Sequence, residues 1–191
     1  MQPNTFAFMS RTGGGKGTQA KLLSEKTGFE VFSSGAKFRE LRNRGDALSE
    51  RIRQEYDKGL LMPSWFSTFL FQEVILYRSP EKGIIFEGAC RKEFEAKMFH
   101  EVMIWLGREY SVIYLDISEE TSMRRQLLRS KTDTNRVESN TEEKIRVRFR
   151  EFDEHTAKAL AFFREQGKVI DIDGEPSVEA VHSEIISKVL I

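Results

Sequence analysis

A glycine-rich segment directly after a short apolar run constrains this chain more than any other feature of its sequence. Residues 6–9 read Phe-Ala-Phe-Met, and residues 10–19 read Ser-Arg-Thr-Gly-Gly-Gly-Lys-Gly-Thr-Gln. Glycines allow a tight turn whose backbone N–H groups point at phosphate oxygens, and the helix that follows adds the positive end of its dipole. Lys16 can then reach the terminal phosphates of a nucleotide. The segment therefore predicts a nucleotide phosphate site between a strand and a helix.

The match of this segment to the general phosphate-binding loop pattern G-x-x-x-x-G-K-[ST] is imperfect. Ser10 stands where the first glycine belongs, Gly17 stands where the hydroxyl belongs, and Thr18 follows it. A glycine-rich turn can also be a plain connection between a strand and a helix. The lysine and the strand–loop–helix context favour the nucleotide site.

The composition limits the class of protein without identifying it. A chain of 191 residues with 39% hydrophobic residues suits one globular domain. Its 30 lysines and arginines balance its 30 aspartates and glutamates, so bulk charge does not favour nucleic acid or an anionic membrane surface. No apolar run approaches the roughly 20 residues of a membrane span. The single Cys90 excludes an internal disulfide and favours a reducing compartment, so we expect a cytoplasmic protein.

Short apolar runs alternate with amphipathic stretches along the chain. The runs predict five strands, at Thr5–Met9, Glu30–Phe32, Gly83–Phe86, Val112–Ile117 and Val169–Ile172. The amphipathic stretches predict helices over residues 16–28, 35–57 with a break near Gly45, 64–78, 92–107, 119–130, 141–166 and 177–190. Strands that alternate with helices imply a parallel sheet covered on both faces, in a three-layer α/β/α fold. The polar stretch 130–140 predicts a loop.

The string Gly-Lys-Gly-Thr-Gln at residues 15–19 resembles the adenylate kinase family of nucleoside monophosphate kinases. In that family, too, the threonine stands one residue later than the general loop pattern places its hydroxyl. Ser10 replaces that family's first glycine, and Thr12 stands where the family often has proline. The resemblance implies one P-loop kinase domain over residues 1–191 with a five-stranded parallel sheet. It also implies that the loop holds the phosphates of ATP through Gly13, Gly14, Gly15, Lys16, Gly17 and Thr18.

Three further motifs resemble the parts of that family that hold the acceptor monophosphate. Residues 34–39 read Ser-Gly-Ala-Lys-Phe-Arg, residues 59–63 read Gly-Leu-Leu-Met-Pro, and residues 84–91 read Ile-Ile-Phe-Glu-Gly-Ala-Cys-Arg. The resemblance implies a helical insert over residues 34–64 that binds the monophosphate, with Arg39 and Arg91 on its phosphate. The implied acceptor site consists of Ser34, Gly35, Arg39, Met62, Gly88, Arg91 and Glu95.

The later arginines resemble those that close on the transferring phosphoryl group in the family. Arg125 and Arg129 match two arginines on the helix that leads to the lid, and Arg136 and Arg148 match two on its far side, with a one-residue gap at Arg136. The match implies a short lid over residues 129–140. The implied catalytic set consists of Lys16, Arg91, Arg125, Arg129, Arg136 and Arg148, and the implied donor site includes Arg125 and Gly174.

Helical periodicity gives these arginines a reading that does not depend on the family. An apolar stripe borders Arg148 and favours an anionic contact for it. A separate row with residues four apart is typical of solvated ion pairs. The row consists of Glu142, Arg146, Arg150 and Glu154. Arg125 and Arg129 are also four apart, which indicates either a tolerated basic surface or an anion between them; the phosphate loop in the same chain favours the anion.

Two acidic residues carry the predictions about metal and base. Glu87 ends an apolar strand, where a carboxylate can hold Mg²⁺ through water, and the family's second acid is replaced by Ala36. Glu95 stands where most adenylate kinases have a glutamine that reads adenine. An ionised carboxylate only accepts hydrogen bonds, so it suits guanine better, although the rest of the chain favours AMP. The alternative is that Glu95 faces solvent in a first helical turn, where acids suit the dipole.

The resemblance implies reversible transfer of the γ-phosphoryl group of Mg-ATP to AMP, giving two ADP. The implied cofactor is Mg²⁺, and the implied partners are the nucleotides ATP and AMP. We expect a monomer that binds neither nucleic acid nor membrane. Two alternatives stay open. The loss of the second acid at Ala36 and the altered Phe-Pro pair, here Ala89-Cys90, allow a kinase for another small acceptor, such as GMP, CMP or UMP. The departures at Ser10, Thr12 and Ala36 support a catalytically weak nucleotide-binding sensor or interaction module.

Overall fold

The structure, a computed structural model, describes residues 3–132 and 141–189 of the chain. Five parallel strands form one sheet in the order β2-β3-β1-β4-β5. The strands are β1 (Thr5–Ser10), β2 (Glu30–Ser33), β3 (Ile84–Glu87), β4 (Tyr110–Asp116) and β5 (Val169–Asp173). Each predicted apolar run forms a strand, and the prediction of a five-stranded parallel sheet is confirmed.

Helices occupy most of the connections between these strands. They are α1 (Lys16–Thr27), α2 (Ser34–Arg42), α3 (Ala47–Tyr56), α4 (Ser64–Leu76), α5 (Glu93–Trp105), α6 (Glu119–Thr132), α7 (Glu142–Glu151), α8 (Ala157–Glu165) and α9 (Val178–Val189). The predicted break near Gly45 separates α2 from α3, and Gly45 has a φ of 79° there. An unpredicted π-helical segment, Phe152–Thr156, joins α7 to α8 and buries both of its end residues. Crossing a membrane would need a longer and more apolar helix than any in the described parts of the chain.

Strand β1 separates two apolar cores on opposite faces of the sheet. Successive residues of a strand point to opposite faces, and all six residues of β1 are buried. Ala7 and Met9 belong to the core that α4, α5 and α8 cover. Phe6 and Phe8 belong to the core that α1 and α9 cover. The chain therefore has the predicted three layers, with β1 at their centre.

The segment between β2 and β3 carries a third core of its own. Phe38 and Leu41 of α2 pack with Ile52 of α3, with Met62 and with Phe66 of α4. This packing gives residues 34–62 a stabilising centre of their own, which touches the sheet through Phe32 of β2. The segment coincides with the predicted monophosphate-binding insert over residues 34–64.

The order of the strands reverses beside β1, because β1 lies between β3 and β4. In open parallel sheets, ligands bind in the crevice at the carboxyl ends of the strands where the order reverses. The glycine-rich loop leaves the carboxyl end of β1, and Glu87 lies at the carboxyl end of β3. The topology therefore brings these two sequence features to one edge of the sheet.

Candidate active site

The glycine-rich loop connects the buried strand β1 to α1, which begins at Lys16. Gly13 and Gly15 have φ angles of 80° and 85°, in the left-handed region that favours glycine. The first turn of α1 contains no acidic residue, so its N–H groups and its dipole present positive potential to the loop. The loop therefore has the backbone geometry and the field that bind phosphate.

Lys16 lies almost fully buried at the base of this loop. Its Nζ donates to the backbone carbonyls of Ser10 and Arg11, each at 3.1 Å. Burial, followed by the positive charge of Arg91, lowers the pKa of Lys16 to about 7, although Glu87 opposes the shift. A phosphate beside the amine would favour its charged form and reverse that shift. The amine is therefore placed to gain a proton when an anion arrives.

The serine that replaces the first glycine of the pattern depends on another glycine of the loop. A Cβ built on Gly14 would lie 1.7 Å from Ser10 Oγ. That Oγ is buried and has no hydrogen-bond partner among the described residues. The loop accommodates the hydroxymethyl group of Ser10 only because Gly14 has no side chain. The departure at Ser10 is thus compatible with the loop's conformation.

Helix α6 braces the loop through contacts that the sequence did not predict. Ser122 Oγ donates to the carbonyl of Thr12 at 2.5 Å. A Cβ on Gly13 would lie 3.1 Å from the Ser122 carbonyl and 3.2 Å from Gln126 Nε2. Position 13 therefore requires a glycine for close packing as well as for its φ angle. The only signal for this contact in the sequence was that Ser122 lies one helical turn before Arg125.

Glu87 is held beside the loop by the first residues of α2 and the end of β2. Ser33 Oγ donates to Glu87 Oε2 at 2.5 Å, and Ser34 Oγ donates to the Glu87 carbonyl at 3.1 Å. Burial opposes ionisation of this carboxyl, but Lys16, the Ser33 hydroxyl and two nearby arginines outweigh it and lower the pKa of Glu87. The carboxyl group of Glu87 is therefore ionised near neutral pH. Sequence reasoning missed Ser33, whose hydroxyl also caps α2.

Two arginines predicted for the acceptor phosphate reach the same region from different elements. Arg39 on α2 donates from Nη1 to the Tyr56 hydroxyl at 3.4 Å. Arg91 follows a turn in which Gly88 has a φ of 80° and Cys90 has a φ of 60°. A non-glycine residue rarely adopts that angle, so the turn before Arg91 is strained. The strain is located where the chain aims Arg91 into the cleft.

The position of Glu95 rules out one alternative that the sequence left open, namely that this side chain faces solvent. The side chain is only 2% exposed, so it does not face solvent. Its Oε2 accepts from the backbone N–H of Arg91 at 2.8 Å and of Lys92 at 3.4 Å, in a capping box at the start of α5. Burial raises the pKa of Glu95, although these N–H groups and the nearby cations oppose the shift. Glu95 is therefore a capping residue that also lines the cleft.

Arg125 and Gly174, both predicted for the donor site, contact each other directly. Arg125 donates from Nη1 to the Gly174 carbonyl and from Nη2 to the Glu175 carbonyl, each at 3.0 Å. A Cβ on Gly174 would lie 2.7 Å from Ile117 Cγ2 and 2.8 Å from the Asp116 carbonyl, so only glycine fits there. Arg125 therefore holds the loop that follows β5 against the cleft.

The remaining arginines differ in their placement. Arg129 and Arg148 line the same cleft as the loop. Arg146, predicted for the solvated row, pairs with Glu142 at 2.7 Å on an exposed surface. Arg136 lies outside the described residues, as does most of the predicted lid over residues 129–140.

One open cleft of about 1460 Å³ lies at the carboxyl edge of the sheet. Every predicted site residue within residues 3–132 and 141–189 lines it. The predicted residues among its lining are Gly13, Gly14, Gly15, Lys16, Gly17, Thr18, Ser34, Gly35, Arg39, Met62, Glu87, Gly88, Arg91, Glu95, Arg125, Arg129, Arg148 and Gly174. Positive side chains therefore converge on a phosphate loop from several elements of the fold.

The far wall of the cleft is connected to α7. Glu151 Oε2 accepts a hydrogen bond from the backbone N–H of Leu61 at 2.9 Å, a contact that the sequence did not predict. Glu154 and His155 bring their ligand atoms within 4.8 Å of those of Glu151, a grouping that the spacing of the histidines does not reveal. We assign no metal to this group, because Glu151 is engaged with Leu61 and Glu154 is exposed.

The sheet order, the phosphate loop after the central strand and the arginine-lined cleft define a P-loop nucleotide-binding protein of the α/β/α class. Residues 8–168 match the model of a family described as adenylate kinase. The chain is 33% identical to adenylate kinase 1 of Synechocystis sp., and the match covers 91% of this chain and 90% of that protein. It is 29% identical to the adenylate kinase of Flavobacterium johnsoniae, over 95% of this chain and 96% of that protein.

A third relative is the adenylate kinase of Archaeoglobus fulgidus, which is 28% identical over 93% of this chain and 94% of that protein. The chain belongs to the adenylate kinase family. The predictions of this family, of its P-loop fold and of an adenylate kinase-type nucleoside monophosphate kinase are therefore confirmed.

Proposed function

We propose that this protein transfers the γ-phosphoryl group of Mg-ATP reversibly to AMP and forms two molecules of ADP. The observation that carries the proposal is the convergence of a phosphate loop, a buried lysine and several arginines on one cleft. In-line phosphoryl transfer needs little covalent chemistry from the protein, so positioning and charge neutralisation suffice. The lining groups are of the kind that such a reaction requires.

The loop and Lys16 bind the donor phosphates. Backbone N–H groups of residues 13–18 and the dipole of α1 face the phosphate oxygens. Lys16, held by two loop carbonyls, moves its proton-bearing Nζ onto the terminal phosphates. Arg125 supports the loop at Gly174, over which the donor base lies. The donor site is thus held by β1, α1, α6 and the segment after β5.

The residues that would hold Mg²⁺ are Glu87 and Thr18. A hard cation takes oxygen ligands, and the lowered pKa of Glu87 keeps its carboxylate ionised beside the loop. Thr18, which carries a hydroxyl, lines the same cleft. When bound with ATP, Mg²⁺ neutralises charge that develops on the phosphate oxygens. Ser33 orients Glu87 for this role through its hydroxyl.

The acceptor phosphate is held by Arg39 and Arg91, and the transferring group by Arg125, Arg129, Arg136 and Arg148. Guanidinium groups present several donors in a fixed plane, which suits the oxygens of a phosphoryl group. Arg136 enters this set through its match to the family alone. Closure of arginines around the group also excludes water, which would otherwise hydrolyse ATP.

The acceptor base lies among Ser34, Gly35, Met62, Gly88 and Glu95. Glu95 uses Oε2 for the backbone of α5, which leaves Oε1 for the base. Burial raises the pKa of Glu95, so its protonated form persists to higher pH than that of an exposed glutamate. A protonated carboxyl offers a donor as well as an acceptor, which matches the adjacent acceptor and donor of adenine. This match supports AMP.

A second candidate acceptor, GMP, is favoured by one specific observation. When Glu95 is ionised it only accepts hydrogen bonds, and guanine offers two adjacent donors. The test is a comparison of steady-state kcat/KM for AMP, GMP, CMP and UMP with Mg-ATP as the donor. We expect AMP to have the highest value, and a highest value for GMP would reassign the acceptor.

The same assay needs a control for contaminating kinases. Replacing Lys16 with Met removes the charge that contacts the donor phosphates and should lower kcat by about a thousandfold or more. Lys26 is exposed in the last turn of the same helix, so Lys26→Met should leave the rate unchanged. Activity that survives in Lys16→Met would show that the measured reaction does not belong to this protein.

A further inference from the structure

Both tryptophans of this chain are exposed on neighbouring helices, away from the cleft. Trp65 on α4 is 68% exposed and Trp105 on α5 is 78% exposed. Phe69, Tyr77 and Phe94 from the same two helices and their ends are each more than half exposed. Exposed aromatic side chains in such number are unusual for a monomer, since its largest apolar patch is commonly about 300–600 Å². We call this surface the α4–α5 face.

Both helices present an apolar row with the same spacing. The row on α4 consists of Trp65, Phe69, Gln72 and Leu76, and the row on α5 consists of Phe94, Met98, Glu101 and Trp105. Steps of four, three and four residues keep a row on one face of a helix and recur where helices pack on helices. In both rows the third member is the only polar residue.

The two rows lie beside each other. Phe71 of α4 and Phe99 of α5 pack with ring centroids 5.5 Å apart, which makes the helices neighbours. His100 packs against Phe162 of α8 on one flank of α5. The row with Phe94 lies on the exposed side of this helix, opposite the buried Phe99 and Met103. Both helices begin at the carboxyl edge of the sheet and run in the same direction, because one precedes β3 and the other follows it.

The apolar area of this face matches what a stable dimer needs. A large aromatic side chain offers about 150–250 Å² when fully exposed. The four aromatic side chains of the two rows, which are 54–78% exposed, therefore present roughly 500 Å², before Leu76 and Met98 are added. A standard protein–protein interface buries about 800 Å² on each partner. The face is therefore large enough to be the core of an interface.

The charges on this face favour a second copy of the chain over a lipid surface. Helix α4 contains one charged residue, Glu73. The row on α5 contains Glu101 and is bordered by Glu93 and Lys97, which pair with each other at 2.6 Å. A helix that binds anionic lipid carries lysine and arginine around its apolar face, and these acids would repel that lipid. A second copy instead offers Gln72, whose amide can donate to a glutamate carboxylate.

We propose that the protein forms a two-fold symmetric homodimer through the α4–α5 face. With the axis parallel to the helices, α4 of one protomer packs on α5 of its partner, and the two rows run in the same direction. Their shared spacing then places Trp65 near Phe94, and Gln72 opposite Glu101, across the interface. Two Gln72–Glu101 pairs satisfy the polar residue in each row. The dimer replaces the monomer that the sequence favoured.

The first test measures mass and tryptophan emission of the full chain as functions of its concentration, without nucleotide. We expect sedimentation equilibrium to give twice the mass of the chain at high concentration, with a blue shift of the emission as the dimer forms. Trp105→Glu and Phe69→Glu should each weaken the dimer roughly thirtyfold or more. Leu48→Glu is the matched control, since Leu48 is an exposed apolar residue on α3 outside the face, and it should not change association.

The second test addresses the pairing itself. Gln72→Glu should weaken the dimer about tenfold or more, because it opposes Glu101 with a like charge. The double variant Gln72→Glu with Glu101→Gln should restore association, since it exchanges the partners of the same pair. A dimer in which α4 packs on α4 would not be rescued, so the failure of rescue would overturn this arrangement.

Three results would overturn the proposal as a whole. One is a monomeric mass at every concentration, which would leave the face to a different protein. Another is a dimer that neither Trp105→Glu nor Phe69→Glu weakens. The last is a monomer that cosediments with phosphatidylcholine vesicles and shows the emission shift only there. None of these readouts depends on kinase activity, so the proposed reaction can stand or fail separately.

Discussion

The phosphate-binding loop and the segment of residues 34–62 both line the cleft, but they are built differently. The loop starts from β1, whose six residues are all buried, and α6 braces it through Ser122. The segment of residues 34–62 instead packs around a small core of its own and reaches α7 through the hydrogen bond of Leu61 to Glu151. Phosphate binding therefore depends on the rigid centre of the sheet. Acceptor binding depends on a segment with a core of its own, which is joined to the sheet through Phe32 and through the bond of Ser34 to the Glu87 carbonyl.

This difference has a consequence for how the two halves of the reaction respond to change. A region with a separate core can open without unfolding the rest of the protein, as ligand-binding segments commonly do. We therefore expect substitutions near the loop to affect turnover, and substitutions on the segment to affect acceptor binding. Four predictions test this division.

The largest of the four effects is expected at the strand end beside the loop. Glu87→Gln removes the charge that would hold Mg²⁺, so kcat should fall about a hundredfold while ATP binding weakens much less. Single-turnover rates and ATP titrations at saturating Mg²⁺ measure the two quantities. Glu109→Gln, at an exposed acid, should change neither. Near-normal turnover in Glu87→Gln would remove this residue from the metal site.

A smaller effect, on the binding of the acceptor, is expected in the segment of residues 34–62. Arg39→Ala removes a charged donor to the acceptor phosphate, so the KM for AMP should rise about thirtyfold. The KM for ATP and the stability of the fold should change little, because α2 belongs to the separate core. Arg51→Ala is the control, since Arg51 is exposed on α3 and donates a hydrogen bond to the side chain of Gln54. A fall in kcat with unchanged KM would contradict the division.

The choice of base should respond to pH through Glu95. Its pKa is raised, so the protonated form, which donates to adenine, is lost as the pH rises through that value. The ratio of kcat/KM for AMP to that for GMP should therefore fall several-fold with rising pH. In Glu95→Gln the amide donates at every pH, so the ratio should stay high and constant. Glu93→Gln, at an exposed acid in the same helical turn, should keep the pH dependence; a constant ratio in the unmodified protein would rule out this role.

The smallest effect is a proton taken up with ATP. Because the pKa of Lys16 is lowered to about 7, the free protein holds this amine partly neutral, and phosphate restores its charge. Binding should take up about half a proton at pH 7 and close to one at pH 8. Titration calorimetry in buffers of different ionisation enthalpy measures the uptake. The proton uptake should be absent in Lys16→Met. Proton release on ATP binding to the unmodified protein would contradict the assignment of this proton to Lys16.

The fold was predictable wherever the pattern is local. Apolar runs gave all five strands, and Gly45 gave the break between α2 and α3, because a run of side chains or a single glycine determines backbone geometry on its own. The phosphate loop was predictable for the same reason. The family resemblance supplied the arginines of the site. Periodicity alone distinguished Arg148, which borders an apolar stripe, from Arg146, which belongs to the solvated row.

The contacts between distant elements were not predictable from the pattern. Ser33 meets Glu87, and Arg125 meets Gly174, only because strands far apart in sequence end at one edge of the sheet. The exposed side of helix α4 was not predictable either, since apolar residues stand on several sides of the helix. In the structure Trp65, Phe69 and Leu76 are exposed, and only the tertiary arrangement reveals it.

The strained turn before Arg91 provides a natural reporter of its own opening. Cys90 is the chain's single cysteine, and burial, with a smaller effect of Glu95, raises the pKa of its thiol well above the ordinary value. A thiol reagent can therefore modify the protein only during excursions that expose this turn and form the thiolate. The rate of that modification measures how often Arg91 leaves its place. A nucleotide that keeps Arg91 engaged should slow the chemistry at the neighbouring sulfur.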